Sequence, residues 1–167
     1  MRRFSLIAAL LFCAACGGAV HGDLGITRED GNCETPIAVA DVAETGDDGE
    51  TIVRDTTAGA PFDHDGSCSQ YSAREIVYAW EAPEAGTVVV TMEGGDGDED
   101  HPDPLLYVST TCDDETEVAC NDDEETGDMF NSRVTFGVTA GTTYFIFADG
   151  YQLGEEGSFV LTIAYEG

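Results

Sequence analysis

Nine short runs of β-branched, aromatic and threonine residues recur from residue 37 to residue 166. They are IAVADV (37–42), TIVRDT (51–56), EIVYAWEA (75–82), TVVVTME (87–93), LLYVST (105–110), EVAC (117–120), RVTFGVT (133–139), TTYFIFAD (142–149) and GSFVLTIAYE (157–166). Clusters of Gly, Pro, Asp and Asn separate them, such as Pro83 with Gly86 and Ala140-Gly141. Such residues fit a pleated, half-buried surface, and such punctuation turns the chain. In RVTFGVT, Val134, Phe136 and Val138 fall on one face; in GSFVLTIAYE, Phe159, Leu161 and Ile163 do the same. Beyond the N-terminal leader no dozen residues carry a 3.6-residue apolar period. The pattern predicts an all-β protein, a jelly-roll-like β-sandwich of about eight or nine short antiparallel strands. Trp80, Tyr78, Phe136, Tyr144, Phe145, Phe147 and Phe159 are the expected aromatic core.

The first residues do not belong to that domain. MRRF is basic, SLIAALLFCAA is apolar but too short to span a bilayer, and small residues precede Cys16. This is the anatomy of a signal peptide. The ending Cys13-Ala14-Ala15-Cys16 resembles a bacterial lipobox, apart from Cys13 where leucine is usual. That resemblance implies cleavage after residue 15, acylation of Cys16 and export across the inner membrane. Gly17 and Gly18 follow the cysteine where some inner-membrane lipoproteins carry aspartate, which implies the outer membrane. The expected organisation is a signal peptide (1–15), an acylated cysteine with a glycine-rich tether (16–31) and one sandwich domain (32–167).

Charge narrows the partners. The chain holds 34 Asp and Glu against six basic residues, a formal charge of −28. The basic residues are all arginine, and losing Arg2 and Arg3 with the signal gives −30. Such a surface repels phosphate backbones, so nucleic acid is excluded as a partner; the lipid bilayer would be engaged through the acyl chains alone. The acids sit between the strands, in ETGDDGE (44–50), DHDG (63–66), EGGDGDEDHPD (93–103) and NDDEETGD (121–128). This is where a solvated surface belongs. It is also what adaptation to salty surroundings would produce, with self-repulsion screened within ~8 Å.

Four cysteines remain in the exported body: Cys33, Cys68, Cys112 and Cys120. An even count outside the cytoplasm predicts disulfides. Proximity in sequence suggests Cys112–Cys120 across a hairpin, and Cys33–Cys68 pinning the N-terminal segment. No C-x2-C spacing supports a four-cysteine zinc site.

The quoted runs 75–92, 103–108, 112–123, 132–151 and 157–166, in that order, together resemble the bacterial pre-peptidase C-terminal domain and its relatives in secreted proteins of myxobacterial type. The resemblance spans roughly residues 33 to 166. It implies a jelly-roll-like sandwich without catalytic activity, used for binding or presentation at the cell surface or in the periplasm, with a protein or polysaccharide as ligand. It also implies an alternative, a calcium-stabilised accessory module of a secreted hydrolase system.

No G-x-S-x-G or H-E-x-x-H occurs, and His21, His64 and His101 lie in the tether or in acidic loops. A hydrolase working through paired carboxylates would need a cleft holding acids of raised pKa. Calcium asks for six to eight oxygens. The local candidates are Asp103, just before a strand, and Asn121, Asp122 and Asp123, directly after Cys120. A binding module would expose an aromatic side chain, for which Tyr107, Tyr151 and Phe130 are the candidates.

Overall fold

The computed structural model describes residues 28–69, 71, 73–94, 103–112, 116–123 and 131–167. Cys16, His101, Phe130 and the signal peptide lie outside them. The elements are β1 (Ile37–Ala38), α1 (Val39–Val42), β2 (Glu44–Thr45), β3 (Thr51–Thr56), β4 (Ile76–Glu81), β5 (Gly86–Gly94), β6 (Pro104–Ser109), β7 (Glu117–Asn121), β8 (Asn131–Val138), β9 (Thr143–Gly150) and β10 (Ser158–Tyr165).

The strands form two five-stranded sheets, a β-sandwich. The first runs β1-β4-β9-β6-β7 and the second β2-β3-β10-β5-β8. Pairing is antiparallel except between β1 and β4, which run parallel for two residues. Only the first two residues of the expected strand at 37–42 are strand: after Ala38 the chain coils into α1, a single turn. Gly141 supplies the β8–β9 turn with φ +74°, a conformation open to glycine at no steric cost.

The two sheets differ in what covers them. In the second sheet β8 alternates without fault, Val134, Phe136 and Val138 inward and Arg133, Thr135 and Gly137 exposed. Its outer face meets solvent. In the first sheet β6 is buried at every position. Leu106 and Val108 join the main core with Tyr78, Val90, Ile146 and Leu161. Leu105 and Tyr107 join Val77 and Phe147 in a second cluster on the outer face. Strands buried on both faces read as continuous apolar runs, which is why EIVYAWEA and LLYVST alternate poorly. Each large apolar side chain so buried contributes about 1.5–3 kcal/mol.

The two disulfides pack on that second cluster, and their pairing corrects the expectation. Cys33 bonds Cys112 and Cys68 bonds Cys120. The hairpin register explains it. Cys120 lies opposite Tyr107, well inside the β6–β7 ladder, whereas Cys112 lies beyond the end of β6. The two sit at different levels of the hairpin, and each finds its partner in a covering segment. The disulfides thus bind the 28–35 and 57–75 segments to the outer face of the first sheet.

Candidate functional site

One end of the sandwich gathers the starts of β4, β6, β8 and β10 and the ends of β5, β7 and β9. Two features meet there.

The first is acidic. Tyr151 N–H donates to Asp103 O (2.8 Å), and Asp103 N–H donates to Glu155 Oε2 (3.1 Å). Asp103 Oδ1 is buried and has no hydrogen-bond partner among the described residues. Burial first, then the carboxylates of Asp123, Glu155 and Asp122, raise the Asp103 pKa to about 6. The structure thus brings Asp103 within the electrostatic reach of Asp122 and Asp123. The Asn121 amide nitrogen donates to Asp123 O and to Arg133 O, which leaves its amide oxygen as the atom that could face a cation. Among the described residues, no three His, Cys, Asp or Glu side chains converge as a ready-made metal set.

The second feature is a groove. Phe62 and Leu153 are 50% and 76% exposed, unusual for large apolar side chains. With Arg74, Gly154 and Glu156 they line a cavity of about 380 Å³. Arg74 is fixed at both sides of its guanidinium, by Nε to Glu156 Oε2 (2.8 Å) and Nη1 to Ala60 O (2.6 Å). Tyr71, 65% exposed, stands near Tyr151, since Ser69 Oγ lies within hydrogen-bond distance of the carbonyls of both.

Among the described residues the exposed aromatics are thus Phe62 and Tyr71; of those expected, Tyr107 and Tyr151 are not exposed, and Phe130 lies outside the described residues. Tyr107 is 2% exposed; it stacks on Phe147 with ring centroids 4.4 Å apart. Tyr151 is half-buried. The only hint of Phe62 in the sequence is an aromatic residue stranded in a Pro- and Asp-rich loop, away from any strand pattern.

Behind the groove lies a buried polar cluster. Tyr107 O–H donates to Glu75 Oε2 (2.8 Å), and His64 Nδ1 lies 2.7 Å from Glu75 Oε1. Burial raises the Glu75 pKa, partly offset by these two hydrogen bonds. Asp149 Oδ1 accepts from the N–H groups of Ala73 and Gly150, and its Oδ2 has no partner among the described residues. Burial first, then the Glu75 charge, raises Asp149 to about 8. Two neighbouring acids of raised pKa are what a hydrolase would need, but Glu75 is 1% exposed and Asp149 0%. Both side chains lie under the covering segment. They fasten Ala73 and His64 of that segment to β6 and β9.

No family model matches the sequence, and no curated protein matches it. Among solved structures the chain is similar to the pre-peptidase C-terminal domain of a collagenase from Bacillus anthracis, at 13% identity and a TM-score of 0.47, covering 69% of this chain and 89% of that one. It is also similar to the CBM35 from Cellvibrio japonicus Abf62, at 9% identity and a TM-score of 0.41, covering 71% and 95%. A family 35 carbohydrate binding module from Clostridium thermocellum stands at 13% and 0.38, covering 75% and 98%. Similarity of this degree says nothing of ligand or activity.

Proposed function

We propose that the chain is a non-catalytic binding module of the cell envelope, anchored through an acylated Cys16 and working through the loop end of its sandwich. The observation that carries this reading is the groove between Phe62 and Leu153 with Arg74 and Glu156 at its side. An exposed aromatic face beside fixed polar groups suits a polysaccharide: the sugar ring lies on Phe62, and its hydroxyls meet Arg74 and Glu156. Arg74 is held before ligand arrives, so little freedom is lost on binding. The test is co-sedimentation of the full chain with a panel of insoluble polysaccharides (cellulose, chitin, xylan). At least one should retain the wild type, and Phe62→Ala should weaken retention about tenfold without lowering the melting temperature. Equal retention of the variant would assign the ligand elsewhere.

Asp103 favours a second element, a stabilising calcium ion. A buried carboxylate oxygen without a partner, facing further carboxylates, is the arrangement that a divalent ion relieves. Asp103 with Asp122, Asp123 and Glu155 would hold it, bracing the loop end from which the groove is built. Calcium at a hundred times its Kd should then add about 2.7 kcal/mol to stability. Sodium or magnesium at matched ionic strength should add far less; an equal response to every salt means charge screening. The anchor is tested by acyl labelling in cells, which Cys16→Ala should abolish.

A further inference from the structure

The open face of the second sheet carries its charges symmetrically. Partner residues on neighbouring strands share a face, so the register sorts the outward side chains into rows. One row runs Glu44, Ile52, Thr162, Thr91, Arg133 across β2, β3, β10, β5 and β8. The next outward row runs Arg54, Val160, Glu93, Asn131 across β3, β10, β5 and β8. Between the two lie Val53, Leu161, Met92 and Ser132, all buried, so both rows point away from the core.

The middle strand of the five is β10. Arg54 and Glu93 stand one strand to either side of it, and Glu44 and Arg133 two strands to either side. At about 4.8 Å per strand, the members of these couples lie roughly 10 and 19 Å apart, too far to pair within one chain. Arg28 pairs with Asp30 and Asp55, and Arg74 with Glu156. Among the described residues Arg54 and Arg133 take part in no ion pair. A chain with 34 acids thus leaves two arginines unclaimed, and both stand on this face. Between the charges lie Ile52, Val89, Thr91, Val160, Thr162 and Ala164, half-buried and uncharged. An uncharged centre with a charged rim is the anatomy of an interface.

We propose that this face binds a second copy of the chain, related by a twofold axis that runs along β10. The rotation lays each row on the same row of the partner and exchanges its ends. Arg54 then meets the partner subunit's Glu93, Glu44 meets the partner subunit's Arg133, and symmetry makes each contact twice. Aligned sheets cross at about 30°, which displaces the outer couples by about 5 Å, within the swing of an arginine side chain. The face measures roughly 24 by 26 Å, about 600 Å² per copy, at the low end of specific interfaces. The dimer is therefore a reversible one in the micromolar range. Two chains of charge −28 repel, and this face is where opposite charges come into register. Because the axis runs along the strands, both loop ends point the same way. The dimer does not depend on what the loop end binds.

Sedimentation equilibrium of the full chain, in salt that screens charge beyond about 8 Å, tests this. The wild type should show a reversible monomer–dimer equilibrium. Arg54→Glu and Glu93→Arg should each weaken it about tenfold or more, since each reversal sets like charges together. The double variant Arg54→Glu/Glu93→Arg should return to within about threefold of the wild type. Mixing the two single variants should restore association as well, because each presents the charge that the other lacks. Melting curves of dilute samples should match the wild type, so that a lost dimer is not a lost fold. Net charge acting alone would tighten the Glu93→Arg dimer, and that result would overturn the proposal. Association that neither reversal changes, or a mixture that stays monomeric, would overturn it too. A wild type monomeric throughout would do the same and leave the face to a different partner.

Discussion

The two sheets are built from the same residue types, yet they live in different solvents. The first is covered on both faces, its outer side sealed by segments 28–35 and 57–75 and by two disulfides. The second turns a face of Thr91, Arg133, Thr135 and Thr162 to water. Covering a sheet twice excludes water from whatever lies beneath, and here that includes Glu75 and Asp149. The difference teaches where the molecule stores its polar tension. It lies under the cover of the first sheet, beside the loops that form the groove, and not on the open face.

Removing the cover's fastening should cost most. Cys68→Ala with Cys120→Ala frees a 52-residue span, worth about 4 kcal/mol in the chain-entropy model. Denaturant melts should show the loss, and non-reducing peptide maps of the wild type should yield Cys33–Cys112 and Cys68–Cys120 peptides. A Cys112–Cys120 peptide would undo the comparison at its root.

The next effect is one of pH. Asp149 ordinarily titrates near 3.8 and is raised to about 8 here. Its neutral form is the stable one in the folded state, so stability falls as pH rises from about 4 to about 8. The limiting slope is about 1.4 kcal/mol per pH unit. Asp149→Asn should flatten that slope. The contrast is Asp55 on β3. Burial pushes its carboxyl up, but hydrogen bonds from Arg28, the Thr56 N–H and Tyr78 outweigh this and hold it below the ordinary range. Its stabilisation is present above 3.8 and is lost as the solution is acidified. Arg28→Gln should therefore alter the acid limb of the profile and leave the neutral limb alone.

Two glycines sharpen the contrast on a smaller scale. A Cβ on Gly66 would lie 2.7 Å from the Tyr107 ring and 3.1 Å from Cys120 Sγ. Gly66→Ala should cost about 1–3 kcal/mol in chemical melts. A Cβ on Gly137, on the open face of β8, meets nothing within 4 Å. Gly137→Thr should gain about 0.5–1 kcal/mol, because threonine suits a strand and restricts the unfolded chain.

The strands of the open sheet were legible in the sequence, since one wet face imposes alternation, except the two-residue edge strand β2, which lies within the acidic run 44–50 read as a loop. Those of the covered sheet were legible by composition and by their turns, although their alternation is blurred. The 37–42 run misled because its β-rich composition is local, whereas the α1 turn follows from the chain crossing between the edges of the two sheets. The disulfide pairing depends on hairpin register, which four isolated cysteines do not encode. Asp103 stood out by its place before a strand, and its neighbours Asp122 and Asp123 with it. Phe62 did not, because a single loop aromatic has no period, and its exposure depends on how segment 57–75 lies across the first sheet.

The central claim is that the loop end is the working surface. Hydrogen exchange of the full chain, with and without the polysaccharide that retains it, tests this most directly. The account predicts added protection at residues 62, 74 and 153–156, with the outer faces of β8 and β10 unchanged. Protection confined to the open face of the second sheet, or none at the loop end, would contradict it.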